Sequence, residues 1–87
     1  MKQVTAINGH IFDIDTSEEK CKKFGFLSGE NIIDPYDRKG TVVGVAPIPE
    51  LGACVAKGED VLWISLDGFD GKVLFFPNPA LALRRVQ

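Results

Sequence analysis

Beyond residue 29 the apolar residues come in short runs, at 30–33, 40–46, 61–66, 72–76 and 81–86. Glycine, proline and aspartate punctuate them. Runs this short, rich in Val, Ile, Leu and Phe and bounded by turn residues, predict β-strands rather than helices. Five such strands in fewer than sixty residues predict a small, strongly bent β-barrel.

Side chains alternate along a strand. Leu62, Ile64 and Leu66 therefore share one face, assigned to the barrel interior together with Val43, Val45 and Leu83. Val61, Trp63 and Ser65 point the other way. On the next strand Leu74 and Phe76 oppose Val73 and Phe75, so both faces are apolar. A sheet with a single core needs only one apolar face per strand. The expected cover for the second face is the N-terminal segment, through Phe12, Ile14, Cys21, Phe24 and Phe26. A partner surface and strand-edge dimerisation are the alternatives.

That N-terminal segment reads as a hairpin followed by a short helix. Asn8-Gly9 fits a two-residue type I′ turn, which sets Ile7 opposite His10, Ala6 opposite Ile11 and Thr5 opposite Phe12. Thr16 is the expected helix N-cap, with Glu19 completing a capping box. The helix is expected over 17–24, supported by Glu18–Lys22 and Glu19–Lys23 pairs and stopped by Gly25. The expected organisation is one compact domain: residues 1–25 packed on a barrel formed by 26–87. Asp34-Pro35-Tyr36-Asp37-Arg38 and Asp67-Gly68-Phe69-Asp70-Gly71 read as turns, Pro77-Asn78-Pro79 as a corner, and 47–60 as a long connection.

Composition narrows the chemistry. The chain has 87 residues and a net charge of −2, so it exerts no global attraction on nucleic acid or acidic membranes. No apolar run reaches membrane-spanning length, and residues 1–5 hold no apolar segment of signal-peptide kind. An intracellular location, cytoplasmic or nuclear, is expected. Cys21, Cys54 and His10 are too few and too scattered for a zinc site, and the cysteines are expected as unpaired thiols. Asp67-Gly68-Phe69-Asp70-Gly71 lacks the further ligands of a calcium loop. A single histidine supports no nucleophile–base pair, and no glycine-rich phosphate motif is present. No enzyme activity, metal or cofactor is expected.

Three strings, 26–33 (Phe-Leu-Ser-Gly-Glu-Asn-Ile-Ile), 38–45 (Arg-Lys-Gly-Thr-Val-Val-Gly-Val) and 62–68 (Leu-Trp-Ile-Ser-Leu-Asp-Gly), resemble the SH3-like small β-barrel superfamily. The style is that of Tudor, KOW and CAP-Gly barrels. The resemblance spans 26–86 and implies an SH3-like five-stranded barrel preceded by a β-hairpin and one short helix. It also implies a binding module, with RNA or chromatin as the alternative partner class.

Loops on a rigid barrel are where binding residues concentrate. Tyr36 and Phe69 are the loop aromatics that strand alternation does not demand, although Phe69 is expected to fold back over the barrel. The expected partner is a protein or peptide of basic character. It would meet Tyr36, Phe69 and an acidic rim of Asp34, Asp37, Asp67 and Asp70, with Trp63 as a further candidate on the sheet face. A cage of these aromatics around a cation is one form such a site could take. Lys20, Lys22 and Lys23, then Arg38 and Lys39, then Arg84 and Arg85 form the three basic clusters that a nucleic-acid site would need on one face.

Overall fold

A computed structural model describes residues 2–48, 59–76 and 78–86. The chain is mainly β. Strands β1 (Lys2–Thr5) and β2 (Ile11–Ile14) form a hairpin, and helix α1 (Glu18–Lys22) follows. Strands β3 (Asn31–Ile33), β4 (Lys39–Pro47), β5 (Asp60–Leu66), β6 (Val73–Phe75) and β7 (Arg84–Arg85) build a second sheet, with the one-turn helix α2 (Pro79–Ala82) before β7. Its strand order is β6-β5-β4-β3-β7, all neighbours antiparallel. Strands β6 and β7 are its two edges, and no pairing among the described residues closes it into a barrel.

The long sheet carries a core on each face. One core joins Leu62, Ile64 and Leu66 to Val42, Val45, Ile32, Leu83, Cys21 and Phe26, with Phe24, Leu74, Phe76 and Phe69 against it. The other joins Val61, Trp63 and Val73 to Val4, Ala6, Ile14, Ala46 and Ile48, with Phe12, Val43 and Phe75 against it. The alternation expected on β5 and β6 holds residue by residue. The N-terminal segment covers both faces rather than one: Phe12 and Ile14 lie on the Trp63 side, whereas Cys21, Phe24 and Phe26 lie on the Ile64 side.

Val43 departs from its expected place in the Ile64 core. Val42 pairs with Ile64 and Gly44 with Trp63, so Val43 is the extra residue of a β-bulge. A bulge inserts one residue and reverses the alternation beyond it. Val42 and Val45, three apart, therefore share a core that Val43 does not join. The 28–29 segment binds the carbonyls around the bulge: Gly29 donates to Val42 O at 2.7 Å, and the Ser28 hydroxyl to Val43 O at 2.7 Å.

The hairpin register is one residue away from expectation. Val4 pairs with Phe12 and Thr5 with Ile11. The turn has three residues, Ile7-Asn8-Gly9, closed by Ala6 N–H donating to His10 O at 2.8 Å, with φ +91° at Gly9 alone. This is a type I turn followed by a left-handed glycine. The two-residue turn would have placed Thr5 and Gln3 opposite Phe12 and Ile14. The observed one sets Val4 beside Phe12 and collects Val4, Ala6, Phe12 and Ile14 in one core. One face is buried, so packing decides the register.

The hairpin is tied to the long sheet at both ends. Asp15 and Val45 exchange backbone hydrogen bonds of 2.8 Å each, and Ile7 N–H donates to Val73 O at 3.1 Å. At the first tie Gly44 lies so close to β2 that a Cβ there would stand 2.4 Å from Asp15 O.

The helix N-cap is Ser17, not Thr16. Ser17 Oγ accepts from Lys20 N–H at 3.4 Å, while Asp15 accepts from Ser17 N–H at 2.9 Å. The Glu18–Lys22 pair forms at 3.2 Å. The closing strand is shorter than expected, because residues 79–82 make a helical turn first. Pro79 suits its first position, where no N–H is needed, and Asn78 O accepts from Leu81 and Ala82. Most of the 47–60 connection, including Cys54, lies outside the described residues. At its ends Pro47 pairs with Asp60, and Ile48 N–H donates to Glu59 O at 2.9 Å.

Candidate functional site at one end of the sheet

Two loops meet at one end of the sheet because the start of β4 pairs with the end of β5, Gly40 opposite Leu66. The 34–38 turn precedes β4 and the 67–71 turn follows β5. Asp67 N–H donates to Lys39 O at 2.9 Å and ties them.

Asp34 organises the first turn. Its side chain has no exposed surface, although it carries a charge. One carboxylate oxygen accepts from Tyr36 N–H at 3.0 Å and Arg38 N–H at 2.7 Å, and the other from Arg38 Nε at 2.6 Å. Burial works to raise its pKa. The backbone and side-chain hydrogen bonds from Arg38, with that from Tyr36 N–H, outweigh burial and hold the carboxyl below its ordinary value. With Arg38 in place Asp34 is thus a buried turn anchor rather than part of an exposed acidic rim, a correction to its expected position.

Tyr36 projects from this turn, 74% exposed. Phe69, in the second turn, is half-buried and packs against the Ile64 core, so it folds back as expected. The Arg38 guanidinium contacts both, 5.1 Å from the Tyr36 ring centre and 5.3 Å from that of Phe69. Both distances are those of cation–π contacts. Arg38 was legible only as half of a basic cluster. The sign that it belongs with the aromatics is the Asp34–Arg38 spacing across a Pro-Tyr turn.

Asp37 has a left-handed backbone, φ +63°, and its carboxylate binds Arg84 Nη2 at 2.5 Å. Asp67 and Asp70 are exposed, Asp70 also with positive φ, at +55°. Trp63 does not belong to the site. It is 3% exposed, donates its indole N–H to Ala46 O at 3.1 Å, and is flanked by Phe12 at 4.7 Å and Phe75 at 5.0 Å. The hairpin covers the surface that would have offered it to a partner.

The basic clusters are spread and partly neutralised. Arg38 is held by Asp34 and Arg84 by Asp37; Arg85 binds Glu30 and Gly25 O and lies over the Phe26 ring at 4.7 Å. Cys21 is a buried free thiol, and burial raises its pKa. Among the described residues no group of three or more His, Cys, Asp or Glu side chains is placed to hold a metal ion. No helix among them is long and apolar enough to cross a membrane. The chain matches no family model, no curated protein and no solved structure.

Proposed function

We propose that this chain is a non-catalytic protein- or peptide-binding module on an SH3-like sheet, with its partner surface at the loop end that carries Tyr36 and Phe69. The observation that carries this reading is that two loop aromatics converge on one arginine, Arg38, with Asp67 and Asp70 exposed on the second loop and Trp63 withdrawn into a core. An exposed aromatic on a rigid turn is a ready interface anchor, because little side-chain freedom is lost on binding. The strand order supports the barrel part of the reading. Strands β3 to β6 form a meander, and β7 returns beside β3, which is how a five-stranded sheet begins to curl toward closure.

The carboxylates support the non-catalytic part of the reading. Among the described residues, the carboxylates with displaced pKa values, Asp15, Glu30 and Asp34, are all displaced downward, each by hydrogen bonds that hold a local turn. A general acid or base needs a pKa moved toward neutrality. The competing reading, an RNA- or chromatin-binding barrel, needs free basic groups on one face. The pairing of Arg38, Arg84 and Arg85 counts against it.

The test is the affinity of a lysine- and arginine-rich peptide for the protein and for Tyr36→Ala. Tyr36 is exposed, so its removal leaves the fold intact. Loss of an anchor is expected to weaken binding by about 1–2 kcal/mol or more. Equal affinity for both proteins overturns the assignment of the site.

A further inference from the structure

Arg38 does more than complete the first turn. Its guanidinium lies over two aromatic rings, 5.1 Å from the centre of Tyr36 and 5.3 Å from that of Phe69, and a buried carboxylate oxygen accepts from its Nε at 2.6 Å. Two aromatic faces and an in-plane carboxylate are what a planar guanidinium needs, since it stacks on its faces and hydrogen-bonds at its rim. A lysine ammonium has no flat faces to offer and is more strongly hydrated. The surroundings of Arg38 thus match the needs of a guanidinium.

We propose that the surface formed by the Tyr36 and Phe69 rings beside Asp34 is an arginine-selective seat, occupied in cis by Arg38, and that an arginine of the partner competes with Arg38 for it. This rests on the loop-end reading of function. Three features favour exchange over permanent occupation. The Arg38 side chain is 41% exposed, so it is not sealed in. Tyr36, one wall of the seat, is open to solvent. Asp34 keeps two backbone N–H bonds when Arg38 leaves, one from Tyr36 and one from Arg38 itself, so the turn is not dismantled. An incoming guanidinium restores the contact to the other Asp34 oxygen. Asp67 and Asp70 on the neighbouring turn attract its charge.

Self-occupation lowers apparent affinity by the fraction of time the seat is empty. Removing the internal competitor should then strengthen binding. In Arg38→Ala, affinity for an arginine-containing peptide is expected to rise roughly tenfold, and for the matching lysine peptide much less. The small probe ethylguanidinium should bind Arg38→Ala and shift the ring signals of Tyr36 and Phe69, and should leave the wild type unshifted. If Arg38→Ala does not fold, the wild type still decides. The Arg38 Nε–H resonance, held by Asp34, should move toward the position of a solvated arginine as the arginine peptide is added.

The outcomes separate the seat from the reading on which it rests. Peptide binding at Tyr36 with Arg38 Nε–H unmoved, or Arg38→Ala binding more weakly than the wild type, overturns the seat and leaves the loop-end site standing. Ethylguanidinium binding to Arg38→Ala without any peptide binding to the wild type supports the seat and removes the peptide-module reading. No response of Tyr36 or Phe69 to ethylguanidinium in a folded Arg38→Ala overturns the proposal.

Discussion

Ile64 and Asp34 have no exposed surface, and they hold the molecule by opposite means. Ile64 is apolar and close-packed, so Ile64→Ala removes transfer free energy and leaves a cavity, at a cost of about 2–5 kcal/mol. Denaturant unfolding measures it, and for so small a domain the loss is a large part of the total. Asp34 acts through charge. Its folded-state pKa is depressed by hydrogen bonds from Arg38 and Tyr36 that prevail over burial. The stability this adds is complete above the unfolded-state pKa, near the ordinary 3.8, and is lost as pH falls through the lower folded-state value. Thermal unfolding across that acidic range should therefore show the wild type losing its advantage over Asp34→Asn. An advantage that does not change with pH would mean that the carboxylate charge is not what Asp34 contributes. Asp34 was legible as a turn residue from Asp-Pro alone. Its burial was not, because that depends on Arg38 folding back to neutralise it.

At the scale of elements, the alternation of β5 and β6 was readable from the sequence because neither strand contains an irregularity. Strand β4 was readable only in part. Gly40-Thr41-Val42-Val43-Gly44-Val45 alternates plausibly in either phase, and the bulge at Val43 is set by how β5 and the hairpin approach, not by the residues of β4 alone. The hairpin shows the same limit. Asn8-Gly9 marks the turn, but the choice between two and three loop residues belongs to the core beneath it. Gly44 is where these two irregular elements touch. Gly44→Ala sets a methyl group against Asp15 O and must push β2 from β4. A loss of about 1–3 kcal/mol is expected by analogy with overpacked cores. Faster hydrogen exchange at the Asp15 and Val45 amides should accompany it. Unchanged protection at both amides would show that the tie between hairpin and sheet is dispensable.

The molecule as a whole is a five-stranded sheet with a core on each face and a two-stranded hairpin, and the N-terminal segment contributes to both cores. Removing residues 1–25 should uncover Trp63, shift its emission to the red and cause aggregation or unfolding. A remainder, 26–87, that stays monomeric and equally stable would contradict this packing. The loop end is tied to the same arrangement, since Phe69 rests on the Ile64 core and Arg84 reaches from the edge strand to Asp37. The two aromatics were legible as loop residues because strand alternation did not require them. The contact of Arg38 with both was not, because its place depends on β4 and β5 bringing two turns together. The most direct test of the binding account is an amide shift map recorded while a lysine- and arginine-rich peptide, and separately an oligonucleotide, is added to the intact chain. The account predicts that the peptide moves Tyr36, Asp67, Phe69 and Asp70 and leaves the hairpin still. Shifts confined to Lys39, Arg84 and Arg85 on adding the oligonucleotide, with affinity falling steeply as salt rises, would contradict it.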